Sequence, residues 1–176
     1  MDTGRVQAAK MYISKLKLLG IDGIDIQIKD DNDIVLESYK QIKNIDNGIE
    51  CVIIPGFITY VRPGIFRKVS GSLKVVYNGN GIRDISNMFE GYCGKYIDLS
   101  DFNTSSVESM YNMFYRCKSL EKIDLSNFAT SNVRDMSGIF RGCISLKELD
   151  LSSFDTSKVE SMQSMFNSCE ALSIDN

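Results

Sequence analysis

The chain has 176 residues, of which 43% are hydrophobic and 24% are charged, and its net charge is −3. This balance is typical of a folded domain and excludes a disordered chain, and no apolar run approaches the roughly 20 residues that a membrane-spanning helix needs. Because the sequence contains no histidine, it lacks the side chain that most often serves as a general base or metal ligand, and we expect no catalytic, metal or cofactor site.

The N-terminal 48 residues predict a helix followed by a hairpin. Residues 3–19 form a helical pattern with Gly20 as its stop signal. Isoleucines alternate with polar residues over 24–28, which predicts a strand, and Ile34–Leu36 predicts its partner. We interpret residues 1–48 as a cap that covers the open end of a repeat array, since an uncovered first repeat exposes its apolar side. The alternative is an independent recognition domain.

Two further features of this segment bear on function. Asp30, Asp31 and Asp33 lie in the predicted turn, but the glycine and glutamate of a calcium loop are missing at the required spacing, so we interpret them as a solvated turn. Basic residues interrupt the apolar residues of the first 20 positions, unlike a secretory signal. We therefore expect a cytoplasmic protein, or an extracellular surface protein if the N-terminus is incomplete.

Residues 82–176 contain four copies of one repeat. Val107, Val133 and Val159 begin copies 26 residues apart, and a 25-residue copy begins at Ile82. We call them the first copy (82–106), the second copy (107–132), the third copy (133–158) and the truncated last copy (159–176). Residues 49–81 predict one more, divergent repeat, called the upstream repeat.

Each copy predicts a helix and then a short strand. In the second copy the apolar residues follow steps of 3, 3, 1, 3 and 3, which is one face of a helix: Val107, Met110, Met113, Phe114, Cys117 and Leu120. Ser105 with Glu108, and Ser157 with Glu160, have the spacing of a helix-capping box. The predicted strands are Gly94–Ser100, Leu120–Ser126, Leu146–Ser152 and a stunted Ala171–Asp175.

The pattern V-x-x-M-x-x-M-F-x-x-C-x-x-L-x-x-I/L-D-L-S-x-F-x-T-S resembles the BspA-type leucine-rich repeats of bacterial surface and secreted proteins over residues 82–176. The upstream repeat, with Val52–Val61, Ile65–Phe66 and Leu73–Val76, resembles a related repeat type less closely. The resemblance implies an α/β fold: a right-handed leucine-rich-repeat solenoid with parallel strands on the concave face and helices on the convex face. It also implies a role in adhesion or protein binding.

Cysteine and methionine recur on the predicted inward side of the repeat. We interpret both sets as core filler, because no cysteine pair has the spacing of a zinc site and the odd number of cysteines argues against a disulfide framework. The cysteines are Cys93, Cys117, Cys143 and Cys169, with Cys51 in addition. The methionines are Met88, Met110, Met113, Met136, Met162 and Met165.

An aspartate lies between two inward residues in each of the three full predicted strands, so it points outward. Parallel strands lie about 4.8 Å apart, and like charges at that distance repel by somewhat under about 1 kcal/mol in a water-like dielectric. Hydrogen bonds from nearby serine hydroxyls, or a basic surface of a partner, would offset this repulsion. A neighbouring outward position holds a different residue in every copy, so specificity for a partner could reside there. The predicted partner-binding residues are Tyr96, Asp98, Ser100, Lys122, Asp124, Ser126, Glu148, Asp150 and Ser152.

The sequence thus predicts a non-enzymatic cytoplasmic protein that recognises a protein partner with its concave face, as an adaptor or inhibitor. The alternative is a fragment of a surface adhesin. Nucleic acid is not an expected partner, because residues 82–176 carry 9 basic and 14 acidic side chains, and a membrane is not expected either. We expect a monomer, with an end-to-end dimer through the C-terminal strand edge as the alternative.

Overall fold

The computed structural model describes residues 3–18, 24–28, 34–39, 45–46 and 49–173. These residues form one helix and eight strands. They are α1 (Thr3–Leu18), β1 (Ile24–Ile28), β2 (Ile34–Tyr39), β3 (Ile45–Asp46), β4 (Ile49–Ile54), β5 (Tyr60–Val61), β6 (Ser72–Tyr77), β7 (Tyr96–Asp98) and β8 (Lys122–Asp124). The predicted stop at Gly20, the acidic turn at Asp30, Asp31 and Asp33, and residues 174–176 lie outside the described residues.

The strands form two sheets. One has the order β1-β2-β5, and the other has the order β3-β4-β6-β7-β8. In the five-stranded sheet, β4, β6, β7 and β8 are parallel to one another, and β3 is antiparallel to β4. Burial alternates along β6, because successive side chains of a strand point to opposite faces. Leu73, Val75 and Tyr77 therefore lie in the core.

The N-terminal helix and hairpin lie against the upstream repeat. The hairpin strands β1 and β2 are antiparallel, and β2 pairs in parallel with β5 of the upstream repeat. Tyr12 of α1 meets Phe57 edge-on with ring centroids 5.6 Å apart. Ile34, Val35 and Leu36 are buried by these contacts. Within the described residues α1 is the one helix, and it lacks the length and apolarity to cross a membrane.

The prediction of a helix in each copy is wrong. In the second copy the chain makes successive turns instead, in which the backbone N–H of Met113 donates to Met110, that of Tyr115 to Asn112 and that of Cys117 to Phe114, at 2.9–3.2 Å. The capping boxes have no helix to cap. The backbone N–H of Ser105 bonds the side chain of Asn103 at 3.0 Å, and Ser157 bonds Asp155 at 2.9 Å.

The backbone shows why turns replace the helix. Asn112 and Arg116 have φ values of 53° and 58°, and the matching positions of the other copies are also positive: Asn87, Gly91, Gly138, Gly142, Ser164 and Ser168. A helix requires negative φ, whereas the third residue of a type II turn requires positive φ. Turns closed by i to i+3 hydrogen bonds give the apolar residues the same three-residue spacing as a helix. The predicted inward residues from Val107 to Leu120 are indeed buried.

Aromatic rings stack from copy to copy through the core. One row has ring centroids 5.1–5.8 Å apart and consists of Phe66, Phe89, Phe114, Phe140 and Phe166. A second row has centroids 5.5–6.5 Å apart and consists of Tyr77, Phe102, Phe128 and Phe154. The first three copies therefore bury their apolar sides against their neighbours, as one repeat alone could not.

The predicted strands are shorter in the structure, and two do not form among the described residues. Strands β7 and β8 occupy the centres of the first two predicted segments. Residues 146–152 and 171–173 form no strand. The backbone N–H of Lys147 donates to Glu121 at 3.2 Å, but within residues 49–173 no strand lies on the outer side of the segment that follows.

The inward cysteines and methionines are core residues with three exceptions. Cys117 and Cys143 are fully buried, and Cys169 is partly buried against the core. Cys51 is paired with Lys74 in the five-stranded sheet and lies partly buried on its outer face, and all five cysteines are free thiols. Cys93 is exposed, because Tyr92 takes the inward position after the turn and donates its backbone N–H to Phe89. Met162 is 49% exposed, since no copy covers it within the described residues.

Candidate functional site

The outer face of the five-stranded sheet carries the predicted site. Tyr96 is paired with Lys122 and Asp98 with Asp124, while the residues between them, Ile97 and Ile123, point into the core. We call Tyr96, Lys122 and Glu148 the variable row, and Asp98, Asp124 and Asp150 the acidic row. The strands bring the first two members of each row together, whereas Glu148 and Asp150 are exposed in a segment without strand pairing.

Each aspartate of the acidic row is held by the serine two residues later. Asp98 accepts hydrogen bonds from the backbone N–H of Ser100 at 2.9 Å and from its hydroxyl at 2.6 Å. The backbone N–H of Ser126 donates to Asp124 at 3.0 Å, and that of Ser152 to Asp150 at 2.8 Å. Such bonds are typical of an aspartate that fixes a turn. The predicted compensation by serine therefore comes from hydroxyls at Asp98 and Asp150 and from backbone amides at all three aspartates of the acidic row.

Lys74 is a further member of this face, which the predicted partner-binding residues do not include. Its ammonium lies 3.2 Å from Asp98 and 2.6 Å from Asp101, on the strand that pairs directly with β7. The alternation of β6 is the signal that would have placed Lys74 outward between Leu73 and Val75. The negative charge of Asp98, at one end of the acidic row, is thus offset by the positive charge of Lys74.

These contacts shift the pKa values of three side chains on the face: Asp98, Lys74 and Tyr96. Burial favours the neutral form of Asp98, but hydrogen bonds from Ser100 and Lys74 outweigh it and hold the pKa of this carboxyl below its usual range. The hydrogen bond to Asp101 raises the pKa of Lys74, against desolvation. Burial, followed by the charges of Asp98 and Asp124, raises the pKa of the Tyr96 hydroxyl. Near neutral pH Asp98 is therefore a carboxylate, Lys74 an ammonium and Tyr96 a neutral phenol.

This chemistry suits recognition. The face combines the aromatic Tyr96, the exposed ammonium of Lys122 and an exposed aliphatic side chain, Ile53 on β4, which is 67% accessible. Aromatic side chains are enriched at protein interfaces, and complementary charges fix the orientation of a partner. Within the described ranges no three acidic or cysteine side chains are placed to hold a metal ion, and the absence of a metal or cofactor stays a prediction.

A second surface carries charges that alternate from copy to copy. Arg83 pairs with Glu108, and Arg134 pairs with Glu160 at 2.6 Å. A polar cleft of about 240 Å³ runs beside them and is lined by Arg83, Ser106, Glu108, Asn132, Arg134 and Lys158. These ion pairs join neighbouring copies at the turn segments, away from the sheet.

A further charged column crosses the copies just before the strands. The carboxylate of Glu121 lies 2.8 Å from the ammonium of Lys95 and 2.9 Å from that of Lys147. The two ammonium groups lower the pKa of Glu121 to about 2.

Comparison with known proteins places most of the repeat region in one family. A family model described as "Mycoplasma protein of unknown function, DUF285" matches residues 68–176. That span contains β6, β7 and β8, and hence both rows of the candidate face. Searches of curated proteins and of solved structures gave no match.

Proposed function

The chain belongs to the DUF285 family, and we propose that it is a non-catalytic protein-binding module that recognises its partner with the outer face of the five-stranded sheet. The observation that carries this proposal is the pairing of a constant acidic row with a variable row on one surface. The aspartates recur in the first three copies and bond their own turns, so they belong to the framework. Tyr96, Lys122 and Glu148 differ in size and charge at equivalent positions, which is where partner specificity would reside.

The proposed architecture is a leucine-rich-repeat solenoid of the BspA type, with turn segments where other leucine-rich repeats have helices. What supports it is the parallel pairing of equivalent positions in successive copies: Asp84 with Ser109, Ser109 with Asp135, and Asp135 with Ser161. The stacked phenylalanine rows support it as well. In such an array one face continues across all copies, so a partner contacts several copies at once.

Charge favours a partner that brings a basic group. Lys74 pairs with Asp98, but Asp124 and Asp150 make no ion pair with any described residue. Lys122 offsets Asp124 in the second copy, so the negative charge of the face is concentrated in the third copy, where Glu148 and Asp150 lie. Complementary charge across an interface speeds encounter and fixes orientation. A basic segment of the partner would lie over Asp124, Glu148 and Asp150.

The proposed binding module would act in one of two cellular locations. One is a cytoplasmic adaptor or inhibitor. The other is a surface adhesin, which the resemblance to bacterial surface repeats favours. Labelling of intact cells with a membrane-impermeant reagent separates them, since labelling without lysis is expected only of the adhesin.

Capture of the partner from the native cell tests the binding face. A face variant carries alanine at Tyr96, Lys122 and Glu148, and a matched turn variant carries alanine at Tyr111, Tyr115 and Arg141. We expect the face variant to lose a partner identified with the unchanged protein, and the turn variant to retain it. Equal thermal midpoints would show that both variants fold. Loss of the partner with the turn variant alone would place the site on the other side of the molecule.

A further inference from the structure

The polar cleft beside the arginine–glutamate pairs runs across three successive copies. It has a volume of about 240 Å³ and six lining residues. They form two rows, of which one contains the second residue of each of the first three copies and the other contains the last residue of each. The rows are Arg83, Glu108 and Arg134, and Ser106, Asn132 and Lys158.

Hydrogen bonds hold both rows in register. The backbone N–H of Arg134 donates to the carbonyl of Glu108 at 2.8 Å. In the other row the side-chain amide of Asn132 donates to the carbonyl of Ser105 at 2.9 Å and accepts from the ammonium of Lys158, also at 2.9 Å. The walls of the cleft are therefore fixed by bonds within and between copies.

The cleft is positively charged although the copies around it are acidic. It contains three of the nine basic residues of the four copies but one of their fourteen acidic residues. Lys158 forms no ion pair with any described residue, and its ammonium bonds the neutral Asn132. Arg134 bonds Glu160 through one terminal nitrogen at 2.6 Å. Because a guanidinium has five N–H donors, Arg134 can donate to a ligand as well.

The lining side chains select an anion that also carries hydroxyl groups. Lys158 and Arg134 suit a carboxylate, because hydrogen bonds between charged groups are shorter and stronger than those between neutral groups. Glu108 repels a bare anion, but its carboxylate accepts hydrogen bonds from hydroxyls. Ser106 and Asn132 add groups that hydrogen-bond hydroxyls too. The matching ligand has a carboxylate on one side and hydroxyls on the other.

The size and composition of the cleft narrow the class of ligand further. Pockets for drug-sized ligands measure about 300–1,000 Å³, so a cleft of about 240 Å³ suits one sugar ring. None of the six lining residues is aromatic or aliphatic. A nucleic-acid base would therefore have no ring to stack on, and an apolar ligand would have no apolar surface to cover.

We propose that the polar cleft binds a sugar acid, such as a hexuronic acid. Lys158 and Arg134 hold its carboxylate, and Glu108 accepts from its hydroxyls. This chemistry is shared by a free sugar acid and by a uronic acid residue within a polysaccharide. The site lies away from the outer face of the sheet, so it neither requires nor excludes the protein partner proposed above.

A nuclear magnetic resonance titration of the full chain, at constant ionic strength, tests the site. D-glucuronate should shift the backbone amide signals of Ser106, Asn132 and Lys158 in a saturable way, and leave that of Tyr96 on the sheet unchanged. D-glucose, which lacks the carboxylate, should bind about tenfold more weakly, the value of two exposed charge contacts. Acetate, which lacks the hydroxyls, should also bind more weakly than D-glucuronate.

Two lysine variants separate the cleft from a general effect of charge. Lys158→Gln keeps a donor for Asn132 but removes the charge, and it should weaken D-glucuronate binding about fivefold. Lys118→Gln removes the same charge from an exposed lysine of the second copy that does not line the cleft, and it should leave the affinity unchanged. Amide spectra that match the unchanged protein away from each substitution would show that both variants fold.

A tetrasaccharide with alternating D-glucuronate residues identifies the source of the ligand. Tighter binding than that of the free acid would indicate a polysaccharide lying along several copies, whereas equal or weaker binding would indicate a free sugar acid. The proposal would be overturned if D-glucuronate caused no saturable shift at the cleft, or if D-glucose or acetate bound as tightly. Equal affinities of the two lysine variants for D-glucuronate would overturn it as well.

Discussion

At the scale of single residues, two threonines hold the copies together inside the core. Thr104 and Thr130 are the buried polar residues of the described chain. The Thr130 hydroxyl donates to the carbonyl of Asp155 at 3.0 Å and accepts from its N–H at 2.7 Å, and Thr104 does the same with Ala129 at 3.0 and 2.8 Å. One hydroxyl thus satisfies both backbone groups of a residue in the next copy.

Thr130→Val would keep the volume and remove both bonds. The N–H and carbonyl of Asp155 would lose their partner, and we expect the free energy of unfolding to fall by about 1–3 kcal/mol in urea denaturation. Thr156 occupies the same position in the third copy but is exposed, so Thr156→Val is the control and should change the free energy by less than about 0.5 kcal/mol. Equal effects of the two changes would contradict this role.

The ion pairs of Glu121 predict a specific pH dependence. Because Lys95 and Lys147 hold the pKa of Glu121 at about 2 in the folded chain, below the value of about 4.3 in an unfolded chain, its carboxylate stabilises the fold above that unfolded value. This contribution decreases as the pH falls from about 4.3 toward 2. The urea midpoints of the protein and of Glu121→Gln should differ at pH 7 and converge near pH 2. A difference that grows on acidification would be inconsistent with these ion pairs.

At the scale of elements, the turn segments distinguish this chain from helix-containing repeats. The one described helix, α1, has 16 of the 176 residues. Far-ultraviolet circular dichroism should therefore show a helical content near one tenth, with a strong turn and strand component. A measured helical content near one third would indicate helices in the copies, as the apolar spacing suggests, and would contradict the turn segments.

The sequence locates inward residues better than it distinguishes helix from turn. The three-residue steps from Val107 to Leu120 identify buried positions correctly, because both structures turn the chain about every three residues. The signal that separates them is the asparagine or glycine at recurring positions such as Asn112, Gly138 and Gly142, since these residues accept positive φ at low cost. Arg116, with φ of 58°, carries no such signal.

The candidate site was predictable in part for similar reasons. Strand alternation places Tyr96, Asp98, Lys122 and Asp124 on one face, as the structure has them. It does not reveal that the strand ladder stops after β8, because pairing depends on neighbours more distant in sequence. The position of Cys93 was missed because Tyr92, one residue earlier, fills the inward position of the first copy and hydrogen-bonds the carbonyls of Gly71 and Tyr96 through its hydroxyl.

At the scale of the whole molecule, the two ends of the repeat region differ. The hairpin and α1 lie over the upstream repeat. In the last copy the backbone N–H groups of Met162, Ser164, Phe166 and Ser168 have no acceptor among the described residues, and the side chains of Met162 and Phe166 are exposed. Two such donor edges do not complement each other, so we expect a monomer at micromolar concentration in light scattering. A stable dimer that is lost on changing Phe166 to aspartate would place a self-association site at this edge.

The central claim is that the outer face of the sheet binds a protein. Its most direct test is a photoreactive phenylalanine derivative introduced in the native cell at Tyr96 or, as the matched position on another surface, at exposed Tyr111. The binding face predicts a discrete crosslinked adduct from position 96, suppressed by Lys122→Ala with Glu148→Ala, and none from position 111. An adduct from position 111 with none from position 96 would contradict the account.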